Sequence, residues 1–165
     1  GSLTVEARLE GLWAHYFLSV ARRDAEKDAL RAQEELTAAF PAGSPEARTV
    51  AAIGGGLEVI RARNSRWPPN KLEHVRKGLK ILDALVQDHP EALEVRYLRL
   101  TSCYYLPFFF DREESVAEDM KILVDRLHQQ SDAFPRDVYQ AVAGFLLEHA
   151  ELTPEERTRL EEILR

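Results

Sequence analysis

Apolar residues recur at steps of three and four along almost the whole chain, and no stretch keeps the alternation of a half-buried strand. Leu9, Leu12, Trp13, Tyr16, Phe17 and Val20 make a first helical face. Ala25, Ala29, Ala32, Leu36 and Phe40 make a second, halted by FPAGSP. Ser44-Pro45-Glu46 then reads as cap, first-turn proline and acidic start. It opens a third helix through Val50, Ile53, Leu57 and Ile60. Pro68-Pro69 breaks the pattern and pushes Trp67 into an extended conformation.

Asn70 is placed to cap a fourth helix carrying Leu72, Val75, Leu79, Leu82 and Leu85, ended near His89-Pro90. A fifth covers about residues 91–106, and a sixth starts near Asp111 with Val116, Met120, Leu123, Val124 and Leu127. FPRD opens a seventh, and Thr153-Pro154 caps and starts a last helix to Leu164. The pattern predicts an all-α fold of seven to eight helices in antiparallel hairpins.

Hairpins closed by prolines invite comparison with a two-helix repeat of about 34 residues. Val50, Ile53, Gly54 and Leu57 fit the large, large, small, large spacing of such a unit's first helix, as do Tyr97, Leu100, Thr101 and Tyr104. Gly78, Leu82, Leu85 and Pro90 fit the second helix. On these residues the segment from about 45 to 130 resembles tetratricopeptide repeats, with corners lengthened by RWPPNK and LPFFFDR. Arg63, Trp67, Pro69, Lys71, Gly78, Pro90, Glu94, Arg96, Arg99 and Pro107 also make the chain similar to a group of small uncharacterised bacterial helical proteins, which carries no activity across. The resemblance implies a right-handed helical array with peptide binding on the concave face, while the chain's length fits a single domain over 3–165.

That face would present Val95, Leu98, Ser102 and Tyr105 on the fifth helix, and Arg48, Ala51, Gly55 and Glu58 on the third. A helix apolar on two sides is buried on two sides, and Ala51, Gly54 and Gly55 let a neighbour approach closely. The groove is therefore expected to be filled by helices, giving a compact array. By the same reasoning the five aromatic residues of TSCYYLPFFFD are expected to be core and corner. Phe108, Phe109 and Phe110 cannot all point inward from one turn, so an exposed ring such as Phe109 is expected as a partner contact.

Composition narrows the function classes. A chain of 165 residues can bury roughly two thirds of its unfolded surface without disulfides or metals. A net charge of −6 disfavours nonspecific attraction to nucleic acid or anionic lipid. Cys103 is the only cysteine, which excludes an internal disulfide or thiolate cluster. No apolar run reaches membrane-spanning length. Gly1-Ser2 reads as a tag-cleavage scar. A signal peptide ahead of it would have been removed, so cytoplasm and periplasm are both compatible.

Two charged groups stand out. From Arg61 to Lys80 the chain carries Arg61, Arg63, Arg66, Lys71, Arg76, Lys77 and Lys80 against one acid, Glu73, with Trp67 on the proline corner. Its ordinary reading is solvated faces paired with Asp111, Glu113, Glu114, Glu118 and Asp119; the alternative is recognition of an acidic peptide, carboxylate or phosphate. Arg96 and Arg99 share a stripe on a mostly apolar helix and need carboxylates, with Glu94 and the acids after Phe110 as candidates. The alternative is a pair that grips a small anionic ligand.

No His-Glu-x-x-His motif occurs, Gly54 to Gly56 lacks the strand and lysine of a phosphate loop, and Cys103 looks like an inert buried thiol. No catalytic or metal-ligating set and no cofactor is expected. The sequence is read as a non-enzymatic module that binds another protein or peptide, with a binding protein for a small anionic ligand as the alternative.

Overall fold

A computed structural model describes residues 4–165, so the expectation for Gly1-Ser2 lies outside the described residues. Eight α-helices and no strand are found there: α1 (Val5–Ala21), α2 (Glu26–Thr37), α3 (Pro45–Asn64), α4 (Pro68–Asp88), α5 (Leu93–Tyr104), α6 (Glu113–Arg126), α7 (Arg136–His149) and α8 (Pro154–Ile163). The fold is all-α. Chain contacts divide it after Pro90 into two units, which are described in turn.

The predicted starts act through the expected caps. Ser44 Oγ accepts from the Ala47 amide at 3.1 Å ahead of Pro45. Thr153 forms a reciprocal capping box with Glu156, which satisfies two amides that would otherwise lack partners. The start of α4 differs from expectation. Trp67, extended at φ −94° and ψ 118°, is the N-cap, and both prolines lie in the first helical turn. Proline suits that place because first-turn amides have no helical acceptor to lose.

In the first unit α1 packs on α2 and α3, α2 on α3, and α3 on α4. Leu12, Trp13 and Tyr16 are buried on α1, and Val50, Ile53 and Leu57 on α3. Val20 and Leu72, placed by periodicity on apolar faces, are instead exposed. Each sits near a helix end, where the packed face has run out.

Glycine sets the approach of α3 to α4. A Cβ at Gly78 would lie 2.5 Å from the Gly55 carbonyl oxygen and 2.8 Å from Val59 Cγ2. One at Gly55 would lie 2.9 Å from Leu82 Cγ. Gly54 faces α2, where its Cβ would meet Gln33 Nε2 at 2.6 Å. The close approach expected from the glycine run is present on two sides of α3. Partners Gly55–Gly78 and Glu58–His74 fall along one helix as they rise along the other, so the hairpin is antiparallel.

In the second unit α5 packs on α6, α7 on α8, and α6 also touches α7 and α8. Every residue from 92 to 100 is buried, as a helix apolar on more than one face requires. Leu123, Val142, Leu146 and Leu160 supply core from the other three helices. Before Pro107 the chain leaves α5, makes a tight turn at Phe108–Phe110, and enters α6 through Asp111 at φ 55°. This left-handed residue reverses the chain without a glycine, a conformation that aspartate tolerates better than most residues.

Candidate functional site: the aromatic corner

The basic segment finds carboxylates close by. Arg61 Nη1 donates to Glu58 Oε1 at 3.1 Å, and His74 Nδ1 lies 2.9 Å from Glu58 Oε2. Lys77 Nζ stands 3.6 Å from the same carboxylate. Burial pushes the Glu58 carboxyl up, but the His74 hydrogen bond and the Arg61 and Lys77 charges outweigh it and hold it below 4.5. Arg63 reaches the end of α1, where its guanidinium donates to the Ser19 and Val20 carbonyls at 2.7 Å each. Those carbonyls have no helical donor, so Arg63 serves as a C-cap supplied from another helix. Arg66, Trp67 and Lys71 are exposed, Trp67 at 64%.

Arg96 and Arg99 converge on Asp119, which is wholly buried. Arg99 donates twice, Nε to Oδ2 at 2.7 Å and Nη2 to Oδ1 at 2.8 Å, while Arg96 Nη1 donates to Oδ1 at 3.0 Å. Glu118 adds contacts at 3.4 Å to Arg96 and 3.2 Å to Arg99. Parallel bidentate pairing is the strongest geometry for guanidinium and carboxylate. The network ties α6 to α5, the two helices that flank the aromatic turn.

That turn departs from expectation. Tyr105, Phe108 and Phe109 are 71%, 83% and 64% exposed, whereas the apolar pattern predicts core and corner for Tyr105 and Phe108. Pro107 ends helical geometry, and the tight turn after it carries the phenylalanines outward. Phe109 packs on Phe108 and Phe110 at ring separations of 6.0 Å and 4.9 Å. Tyr104 and Phe110 are half-buried, and Tyr104 meets Phe145 at 5.5 Å and His149 at 4.7 Å.

Beside the exposed rings lies a cavity of about 350 Å³. Leu106, Pro107, Val116, Ala117 and Met120 give it apolar walls, with Phe108 at its mouth. Glu113, Glu151, Arg112 and His149 complete its lining. Cys103 is also in the lining but is almost entirely buried. Burial pushes its thiol above 9.0, against the pull of Arg112 and Ser115, so it is a poor nucleophile at neutral pH.

Among the described residues no three His, Cys, Asp or Glu side chains gather as a metal site, and no helix is long and apolar enough to cross a membrane. The geometry therefore brings Arg96 and Arg99 together, engages Arg61 and Arg63 within the first unit, and leaves Arg66, Trp67, Lys71 and Phe109 exposed. Sequence reasoning missed Tyr105, Phe108 and the cavity. For Tyr105 the available signal was Pro107, since helices usually end at or before the residue preceding a proline, which places Tyr105 at a helix end and not on a packed face. Comparison of the chain with known protein families, curated proteins and solved structures finds no match.

Proposed function

We propose that this chain is a non-enzymatic protein-interaction module of helical-repeat type whose principal contact is the aromatic corner. One observation carries the reading: three large aromatic side chains from five consecutive positions stand in water beside an open apolar cavity. Contiguous exposed apolar surface of this kind marks interaction sites in folded proteins, and a well-packed aromatic anchor is the usual centre of a binding surface. Likeness to tetratricopeptide repeats belongs to the same proposal. It is supported by the antiparallel α3–α4 hairpin with glycines at its crossing. That hairpin runs from Pro45 to Asp88, longer than the roughly 34-residue repeat unit.

The rival reading, a small anion held by Arg96 and Arg99, has to displace Asp119 from both guanidinium groups. The experiment is affinity capture from source-organism extract with three baits of equal helicity: wild type, Phe108→Ser/Phe109→Ser, and Arg66→Glu/Trp67→Ser. A protein lost only from the phenylalanine variant supports the aromatic corner. Loss only from the tryptophan variant moves the contact to the basic corner, and equal recovery by all three removes both.

A further inference from the structure

The cavity is apolar within and acidic around its edge. Glu113 and Glu151 help to line it, and Asp111, Glu114 and Glu148 stand exposed on the same two chain segments. Those segments carry one guanidinium, Arg112, against the carboxylates of Asp111, Glu113, Glu114, Glu148 and Glu151. His149 is drawn to Glu148 at 3.7 Å and to the Tyr105 hydroxyl at 3.4 Å. The electrostatic character of the rim is therefore set by its carboxylates.

Tyr105, Phe108 and Phe109 extend the aromatic surface beyond the cavity mouth. A small molecule enclosed in the cavity has no use for rings outside it, whereas a chain that continues past the mouth does. Building on the aromatic corner as the contact surface, we infer that its occupant is a peptide segment of another protein bearing one large apolar side chain flanked by lysine or arginine. The apolar side chain fills the space among Leu106, Val116 and Met120. Its basic neighbours meet Glu113 and Glu151, and they are well suited to lie over the exposed faces of Tyr105 and Phe109. An acidic segment meets like charge at the rim, which is costly at an interface. A second copy offering Arg66, Trp67 and Lys71 has similar chemistry, but a head-to-tail contact of that kind builds closed rings or open chains of copies, an assembly that rises with concentration and is read separately in the test.

The test is selection from a random peptide library on the immobilised full chain, followed by affinity measurement with the winning peptide synthesised. The expected winners carry an aromatic or aliphatic anchor beside lysine or arginine and bind more weakly as salt rises. Glu113→Lys/Glu151→Lys is expected to weaken binding on the order of tenfold or more, as reversal of two rim charges does. Glu113→Gln/Glu151→Gln should fall between that variant and wild type. All of these peptides should be lost from Phe108→Ser/Phe109→Ser.

Winners that are acidic or uncharged, yet need the phenylalanines, overturn the basic partner and leave the contact surface standing. Winners indifferent to the phenylalanines, or a library that yields none, overturn both. Concentration-dependent polymers that disappear in Phe108→Ser/Phe109→Ser make the occupant a second copy and also overturn the inference.

Discussion

Trp67 and Phe108 both stand in water at a proline corner, one before the proline and one after it, and the two corners are built differently. Trp67 is the N-cap of α4, and its prolines lead straight into helix. Two of the nearby cations are already engaged, Arg61 on Glu58 and Arg63 on the carbonyls that end α1. At the second corner Pro107 leads into a tight turn and a left-handed Asp111, and a cavity of about 350 Å³ opens beside the rings. Exposure alone is a weak mark of a site, because much of any folded surface is apolar. Empty apolar volume next to exposed rings is the stronger mark.

The largest effect should come from removing the clamp beneath the second corner. Asp119→Ala removes the buried carboxylate that Arg96 and Arg99 share, with the more exposed Glu118 still in reach of each, and breaking a buried ion pair from one side costs up to about 3–5 kcal/mol. Urea denaturation should show that loss, together with loss of any ligand of the cavity, since Val116 and Met120 ride on the same helix. A cost below about 1 kcal/mol would mean that the network does not hold α6 in place.

Next is the crossing that supports the first corner. Gly78→Ala puts a methyl group 2.5 Å from a backbone oxygen, which cannot rotate away as a side chain can. Overpacking of this sort costs about 1–3 kcal/mol, although alanine is the better helix former by about 1 kcal/mol. Gly11→Ala separates the two terms. Nothing lies within 4 Å of its added Cβ, so only the helix preference acts and stability should rise by up to about 1 kcal/mol. If both variants shift stability the same way, the close crossing is not what selects glycine at residue 78.

These two supports were unequally legible in the sequence. Helix positions followed from apolar periodicity, and starts followed from Ser44-Pro45 and Thr153-Pro154, because caps act within one turn. The close approach at Gly54 and Gly55 was also readable, since a helical pattern gives a run of glycines little other use. Arg96 and Arg99 announced that carboxylates were needed, but choosing Asp119 among the nearby acids takes the geometry of α5 against α6. The role of Arg63 was invisible, because its acceptors are carbonyls more than forty positions away. The rings were misassigned for a related reason. Periodicity continues smoothly through Tyr104 and Tyr105, but the helix ends at Tyr104 with Tyr105 as its cap, and the turn after Pro107 decides where the phenylalanines point.

A smaller effect distinguishes the corners by pH. Glu58, beneath the basic corner, has its carboxyl held below 4.5 by His74, Arg61 and Lys77 despite burial. A carboxyl depressed in the folded state adds stability above its unfolded value and loses it as pH falls through its folded value. The advantage of wild type over Glu58→Gln in unfolding free energy should therefore be full near neutrality and shrink as pH falls below about 4.5. A difference that stays flat across that range would show that Glu58 is not held as an anion there.

The smallest effect on stability is the most telling for function. Trp67→Ser and Phe108→Ser each remove a ring that is mostly in water, and surface changes of this kind usually fall within about 0.5 kcal/mol. Equal and near-zero shifts in thermal unfolding are expected from both. A clear loss from Phe108→Ser would mean that the ring holds the turn together, making its exposure a by-product of folding. If both variants are neutral, the fold has no need of either ring, and binding becomes the measurement that tells them apart. Phe108→Ser should then abolish peptide capture, while Trp67→Ser leaves it unchanged, because only Phe108 stands at the mouth of the cavity.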